Sequence, residues 1–194
     1  MLMKPLMILI ALLATETRVV VNEPFDSPDA IKRWRLGAGS WTVVDGSLRG
    51  AETPERKHAA GLAHPLAYHD AEIKFRFLFD GGNTAMLLLR NRFGNLCRVT
   101  ITRTSVTLTK DKPNLPAGNQ ETTVVLAKSA AKFEPGRWYS VRAEVRGDQL
   151  SAEIEGVSPL SGGHPAIDVD KTEVEFLAGG VAMLFDDLIV TELK

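Results

Sequence analysis

Several groups capable of chemistry fall outside any regular hydrophobic pattern. Glu52 precedes Lys57-His58, Lys110-Asp111-Lys112 follows an apolar run, and His164-Pro165 leads into Asp168, Asp170 and Lys171. Histidine changes charge near neutral pH, and a neighbouring carboxylate or lysine biases which form it takes, so such a set suits general acid–base work. His58, Asp111, His164 and Asp168 are the candidates for that role. Glu52, Lys57, Lys110 and Lys171 could hold the polar groups of a ligand. Both roles require the three segments to meet at one end of the molecule. If they do not meet, the same residues are surface ion pairs and turn formers that contribute little individually.

Arg90, Arg92 and Arg98 lie on or beside two neighbouring strand candidates joined at Phe93-Gly94-Asn95. A guanidinium offers planar, paired contacts to hydroxyls or carboxylates, which makes Arg98 a further ligand-binding candidate. The alternative is a solvated face paired with Glu72 or Glu144. Trp34, between Arg33 and Arg35 and just before Gly37, could present a partly exposed ring to a ligand or be buried in the core. Trp41 and Trp138 begin strands and are read as core or sheet-edge anchors. Ser nucleophile elbows, phosphate-cradling loops and His-Glu-x-x-His metal patterns are absent from the sequence.

The elements that must position these groups have a period of two. Glu72-Ile-Lys-Phe-Arg-Phe-Leu-Phe79 puts Ile73, Phe75, Phe77 and Phe79 on one face and Glu72, Lys74 and Arg76 on the other. Tyr139 to Arg146 and Arg98 to Thr102 repeat that division. Asp45-Gly46, Asp80 to Asn83, Arg92 to Asn95, Pro135-Gly136, Gly147-Asp148 and Gly179-Gly180 supply the reversals. Many short strands at this spacing predict an all-β, two-sheet antiparallel sandwich. A helix is expected only at Ser27 to Arg33, where Ser27 can cap and Pro28 can open the first turn. Lys110 to Gln120 reads as the longest exposed loop. Asp186-Asp187, between Phe185 and Leu188, should send one carboxylate inward, where it needs a partner.

Composition narrows the partners. A formal net charge of -1 over 194 residues gives no basic excess for nucleic acid or an anionic membrane surface. A single cysteine excludes an intrachain disulfide framework and a Cys-clustered zinc site. Residues 1–14 carry Lys4 and then an apolar run too short to span a membrane, the pattern of an export signal, and polar Thr15 to Arg18 follow. The expectation is an exported protein, periplasmic or extracellular, with one domain over residues 19–194 and no membrane span in its mature chain. A first buried strand or helix is the alternative for the apolar run.

Four local patterns carry a family resemblance: Phe25-Asp26 followed by Trp34, Gly39-Ser-Trp-Thr-Val-Val-Asp-Gly-Ser-Leu48, Pro135-Gly-Arg-Trp-Tyr-Ser-Val-Arg142 leading to Gly147-Asp148, and Phe185-Asp-Asp-Leu-Ile-Val190. Together they resemble the concanavalin A-like jelly-roll domains of secreted bacterial proteins, and among these the 3-keto-disaccharide hydrolase domain, itself similar to family 16 glycoside hydrolases. The resemblance implies a jelly roll of the lectin and glucanase type and a carbohydrate partner. It extends to Lys57-His58, Lys110-Asp111-Lys112 and His164-Pro165, with no assigned roles. Family 16 enzymes share a Glu-x-Asp-x-x-Glu strand, and the nearest segment here, Asp168-Val-Asp-Lys-Thr-Glu173, begins with the shorter Asp, which withdraws the first carboxylate by one methylene. In similar modules an Asp such as Asp187 lies near a calcium ion held with oxygens of the first loop, which implies Asp26 and Asp187 as metal ligands; hydrogen bonding to amides or to an Arg is the alternative, and no other cofactor is implied.

Three functions fit. A non-catalytic glycan-binding or accessory domain needs an exposed aromatic platform. A glycan-processing hydrolase needs a deep polar cleft with a paired acid and base, and a structural module of the cell envelope needs neither.

Overall fold

The computed structural model describes residues 17–53, 55, 58–114 and 121–194. The export-signal expectation for residues 1–14 and the ligand role of Lys57 therefore lie outside the described residues.

Period-two burial organises the chain into strands β1 (Thr17–Glu23), β2 (Arg35–Leu36), β3 (Ser40–Val44), β4 (Ser47–Ala51), β5 (Ala60–Tyr68), β6 (Asp70–Phe79), β7 (Gly82–Asn91) and β8 (Gly94–Thr102). The second half supplies β9 (Ser105–Lys110), β10 (Val124–Ala130), β11 (Trp138–Arg146), β12 (Gln149–Ile154), β13 (Leu160–Gly163), β14 (Lys171–Gly180) and β15 (Met183–Leu193). They form an eight-stranded sheet, β13-β12-β11-β6-β15-β4-β3 with β1 also on β15, and a seven-stranded sheet, β10-β9-β8-β7-β14-β5-β2. Every pairing is antiparallel.

Facing side chains of the two sheets make the core. Phe176 of β14 stacks on Phe185 of β15 at 4.5 Å between ring centroids, and Phe75 of β6 meets Phe176 edge-on at 5.0 Å. All three are buried, so one aromatic column ties the sheets together. The β3–β4 hairpin turns on Asp45 and Gly46 with φ of 49° and 71°, the left-handed pair that matches strand twist. Gly50 is required there, because a Cβ would sit 2.6 Å from the ring of Trp41 packed over it.

The short helix is a 3₁₀ turn over Pro28–Arg33, with Ser27 Oγ accepting from the Asp29 amide at 3.2 Å. A second 3₁₀ turn at Pro165–Ile167 is capped by His164. Three sequence expectations are corrected. Lys110 and Asp111 are buried at 2% exposure, so the chain after β9 is still packed where a free loop was expected. Asp186 and Asp187 both face outward, onto Arg76, because β15 carries a bulge: Asp186 pairs with Arg76 and Ile189 with Lys74, one extra residue on β15. Asp187 sits at the bulge with φ of 50°. Trp138 is half-buried on the outward face of β11, with the Arg76 guanidinium 5.1 Å from its ring.

Candidate functional site

The fold brings two of the three polar segments together. Corner residues Ala67 to His69, the β7–β8 turn, Lys110, Asp111 and Pro113, and Ala166 with Val169 to Thr172 line one cleft of about 1140 Å³, and Asp168 is not on its lining. The register explains the meeting. Lys171 opens β14 opposite Tyr68, Cys97 of β8 pairs with both Leu89 and Lys110, and the Asp111 amide donates to the Leu96 carbonyl at 2.8 Å.

Glu52 and His58 are elsewhere. The Glu52 amide donates to the Gly180 carbonyl at the far end of β14, and His58 precedes Ala60, which pairs with Ala178. At roughly 3.3 Å per residue, the ten-residue β14 separates that end from Lys171 by about 30 Å. His58 and Asp111 therefore cannot act on one substrate bond, which corrects the expectation of a single four-residue acid–base set. The four side chains are turned to different partners: His58 to the Ala59 carbonyl, Asp111 to Arg98, His164 to the Ala166 amide and Asp168 to His69.

Each remaining candidate has a definite place. His164 Nδ1 accepts from the Ala166 amide at 3.2 Å, so this ring nitrogen is committed to capping a turn. Asp168 Oδ1 lies 3.5 Å from His69 Nε2, and His69 Nδ1 is 3.1 Å from Asp70 Oδ1. Trp34 is 6% exposed and packs against Phe25, His64 and Phe176, which removes it as a ligand contact; its ring is the largest apolar surface of its segment and the core takes it. Arg90 pairs with Glu173 and Glu175, and Arg98 with Asp111, in place of Glu72 and Glu144, which belong to the other sheet and serve Arg142. Asp187 is engaged by Arg76 Nε at 2.7 Å, and Asp26 lies beside the β3–β4 turn. Among the described residues, no three His, Cys, Asp or Glu side chains draw together as a metal-holding group.

Electrostatics inside the cleft are those of groups drawn out of water. Arg98 Nε and Nη2 both donate to Asp111 Oδ1, at 2.9 and 2.5 Å, while the buried Oδ2 has no hydrogen-bond partner. Burial raises the Asp111 carboxyl above its ordinary range and Arg98 pulls it back only in part. Lys171 is fully buried and its Nζ donates to the His69 carbonyl at 2.6 Å; loss of water lowers its pKa. Lys110 Nζ meets Glu121 Oε2 at 2.5 Å. Cys97, buried beside Lys171 and Asp111, has its thiol pushed up to about 12 by burial.

Residues that sequence reasoning passed over complete the site. Phe93, at the tip of the β7–β8 turn, is 43% exposed, lines the cleft and has the Arg92 guanidinium 4.5 Å from its ring centroid. Its position is fixed by its own backbone: the Phe93 amide donates to Asn91 Oδ1 at 2.8 Å and its carbonyl accepts from the Asn114 amide at 3.1 Å. The signal was present in the sequence, since an aromatic at the tip of a tight turn has no sheet face to be buried against. His69 was visible only as half of a His-Asp pair; its second carboxylate comes from the distant Asp168. The arrangement can present a ring and fixed polar atoms to a polyhydroxylated molecule.

No protein-family model matches the chain, and no curated protein sequence matches it. Solved structures do. A carbohydrate-binding module, CBM66 from Bacillus subtilis, superposes with a TM-score of 0.65 at 10% identity over 80% of this chain and 93% of its own. Porphyranase B from Zobellia galactanivorans gives 0.65 at 10% identity over 92% and 94%. A non-specific endo-β-1,3(4)-glucanase of family GH16 gives 0.61 at 14% identity over 94% of each chain. Such identities establish the fold alone. The chain is a concanavalin A-like jelly roll, two antiparallel sheets with a cleft where β5, β7, β9 and β14 end or begin.

Proposed function

We propose that this protein is an exported carbohydrate-contacting domain that binds glycan without cleaving it, in the cleft bordered by Phe93. The observation that carries the reading is the exposed Phe93 ring held by backbone bonds at the mouth of a cleft whose wall contains buried polar groups. Sugars offer CH-rich faces to such a ring and hydroxyls to such a wall. The architecture, shared with a carbohydrate-binding module and two glycan-degrading enzymes, supports a glycan partner. The separation of His58 from Asp111 favours binding over hydrolysis.

A glycan array followed by calorimetric titration tests the reading. Phe93→Ala should weaken binding by about fivefold, an aromatic contact being worth on the order of 1 kcal/mol, while thermal stability is unchanged. An undiminished affinity in that variant would remove the cleft from consideration.

A second reading rests on His69. Its ring lines the cleft between Asp70 and Asp168, so a carboxylate orients Nδ1 while Nε2 is directed toward a second acid. A hydrolase of the 3-keto-disaccharide type would use this imidazole as its acid or base. Turnover of 3-keto or ordinary disaccharides, abolished by His69→Ala, would establish that reading in place of the first. Silence in both binding and turnover assays would leave the structural envelope module.

A further inference from the structure

The charges along the cleft do not cancel. Each carboxylate of its wall has a cation of the chain against it: Asp111 has Arg98, Glu121 has Lys110 and Glu192 has Arg18. Asp170 is close enough to Lys171 for their charges to attract. Arg92 is left over. Among the described residues no carboxylate meets its guanidinium, which lies over the Phe93 ring at 4.5 Å from the centroid. Arg92 is exposed where it lines the cleft, so a ligand can reach it. Lys110 and Lys171 are buried, on Glu121 and on the His69 carbonyl, and have no such freedom.

Phe93 gives Arg92 a fixed seat, because its own amide and carbonyl are bonded to Asn91 and Asn114. A guanidinium over an aromatic ring is held through its charge and keeps its N–H donors, a planar fork that matches an oxyanion. We infer that the glycan bound in this cleft is acidic: a carboxylate or sulfate on a sugar ring accepts hydrogen bonds from Arg92 while an apolar sugar face lies against Phe93. The inference rests on the cleft being the glycan site and adds the chemical class of glycan. A charge-assisted bond is roughly twice as strong as a neutral one, and a two-donor contact also sets the orientation of the ring. With a net charge of -1 the molecule as a whole does not draw anions in, so a preference for acidic sugars has to arise locally.

The test titrates the wild-type protein, Arg92→Gln, Arg103→Gln and Phe93→Ala with neutral gluco- and galacto-oligosaccharides, with the corresponding uronic-acid oligosaccharides and with their sulfate esters. The wild type should bind the better acidic form at least about tenfold more tightly than the neutral counterpart, and the arm that shows this identifies the oxyanion. Arg92→Gln should lose the preference. Arg103 is exposed just past the opposite end of β8, and Arg103→Gln, which removes the same charge there, should keep it. Equal or tighter binding of the neutral sugars by the wild type overturns the inference, and this comparison needs no variant to fold; weakened neutral binding by Phe93→Ala would then leave the cleft as the glycan site. A preference that survives Arg92→Gln, or that Arg103→Gln also removes, overturns it as well. Binding that Phe93→Ala leaves unchanged overturns the site and the inference together.

Discussion

Two charged regions of this molecule are built on opposite terms. On the outer face of the eight-stranded sheet, Arg142 reaches Glu72, Glu144 and Glu153, Lys74 joins Glu72, and Arg146 joins Glu144. Every cation there meets a carboxylate of the same chain, in partial contact with water. In the cleft, Asp111 keeps an oxygen without a donor and Lys171 finds only a backbone carbonyl. A lattice that satisfies itself loses little when one member is removed, whereas a buried group short of partners depends heavily on the few it has. The difference teaches that charge density alone is a poor guide to function. Local completeness is the better one.

The comparison can be tested at several points. Cys97 lies buried next to Lys171, so the floor of the cleft belongs to the folded core; its thiol should react with a thiol reagent at pH 8 more than about a thousandfold slower than a free thiol, tracking unfolding. Fast labelling of the native protein would show that the cleft floor opens. Arg98→Ala strands the Asp111 carboxylate and should cost about 3 kcal/mol in urea denaturation, as removal of one partner of a buried pair does.

The acid response should separate the regions further. The Asp111 carboxyl is raised in the folded chain, so the folded state holds its proton more readily than the unfolded state. Stability of the wild type relative to Asp111→Asn should therefore increase as pH falls through the window just above the ordinary carboxylate range. Glu72, in the lattice, is lowered by its bonds to Lys74 and Arg142 against the cost of its burial, and has the opposite sign: its stabilisation is present above the ordinary range and lost as pH falls. Chemical denaturation of the wild type, Asp111→Asn and Glu72→Gln across pH 3 to about 7 reads both slopes. The smallest effect is expected at Arg142→Ala, below about 1 kcal/mol and shrinking with added salt, because its pairs are exposed and mutually redundant. A loss equal to that of Arg98→Ala would erase the distinction between the two regions.

Much of the scaffold was legible before any coordinates. The alternation of Ile73, Phe75, Phe77 and Phe79 placed β6, Asp45-Gly46 placed a hairpin, and Ser27-Pro28 placed the only helical turn expected. β5 has no legible period of two, because Ala60-Gly-Leu-Ala-His-Pro-Leu-Ala-Tyr68 contains Pro65 and small residues; the sheet tolerates the proline where β5 and β14 slip register between Lys171 and Glu173. The site was only half legible. Lys110, Asp111 and Lys171 stood out as polar residues beside apolar runs and do share a cleft, but Glu52 and His58 looked equivalent and lie at the opposite end.

Alternation of side chains is a local property, fixed by the pleat of each strand, and so the amino-acid order sufficed for an all-β sandwich with its inward and outward faces. Which strand ends lie side by side is a long-range matter of pairing and register, which no short window of residues encodes. That pairing alone brought Asp168 to His69, Arg98 to Asp111 and Phe93 to the mouth of the same cleft, and it left one carboxylate oxygen unserved.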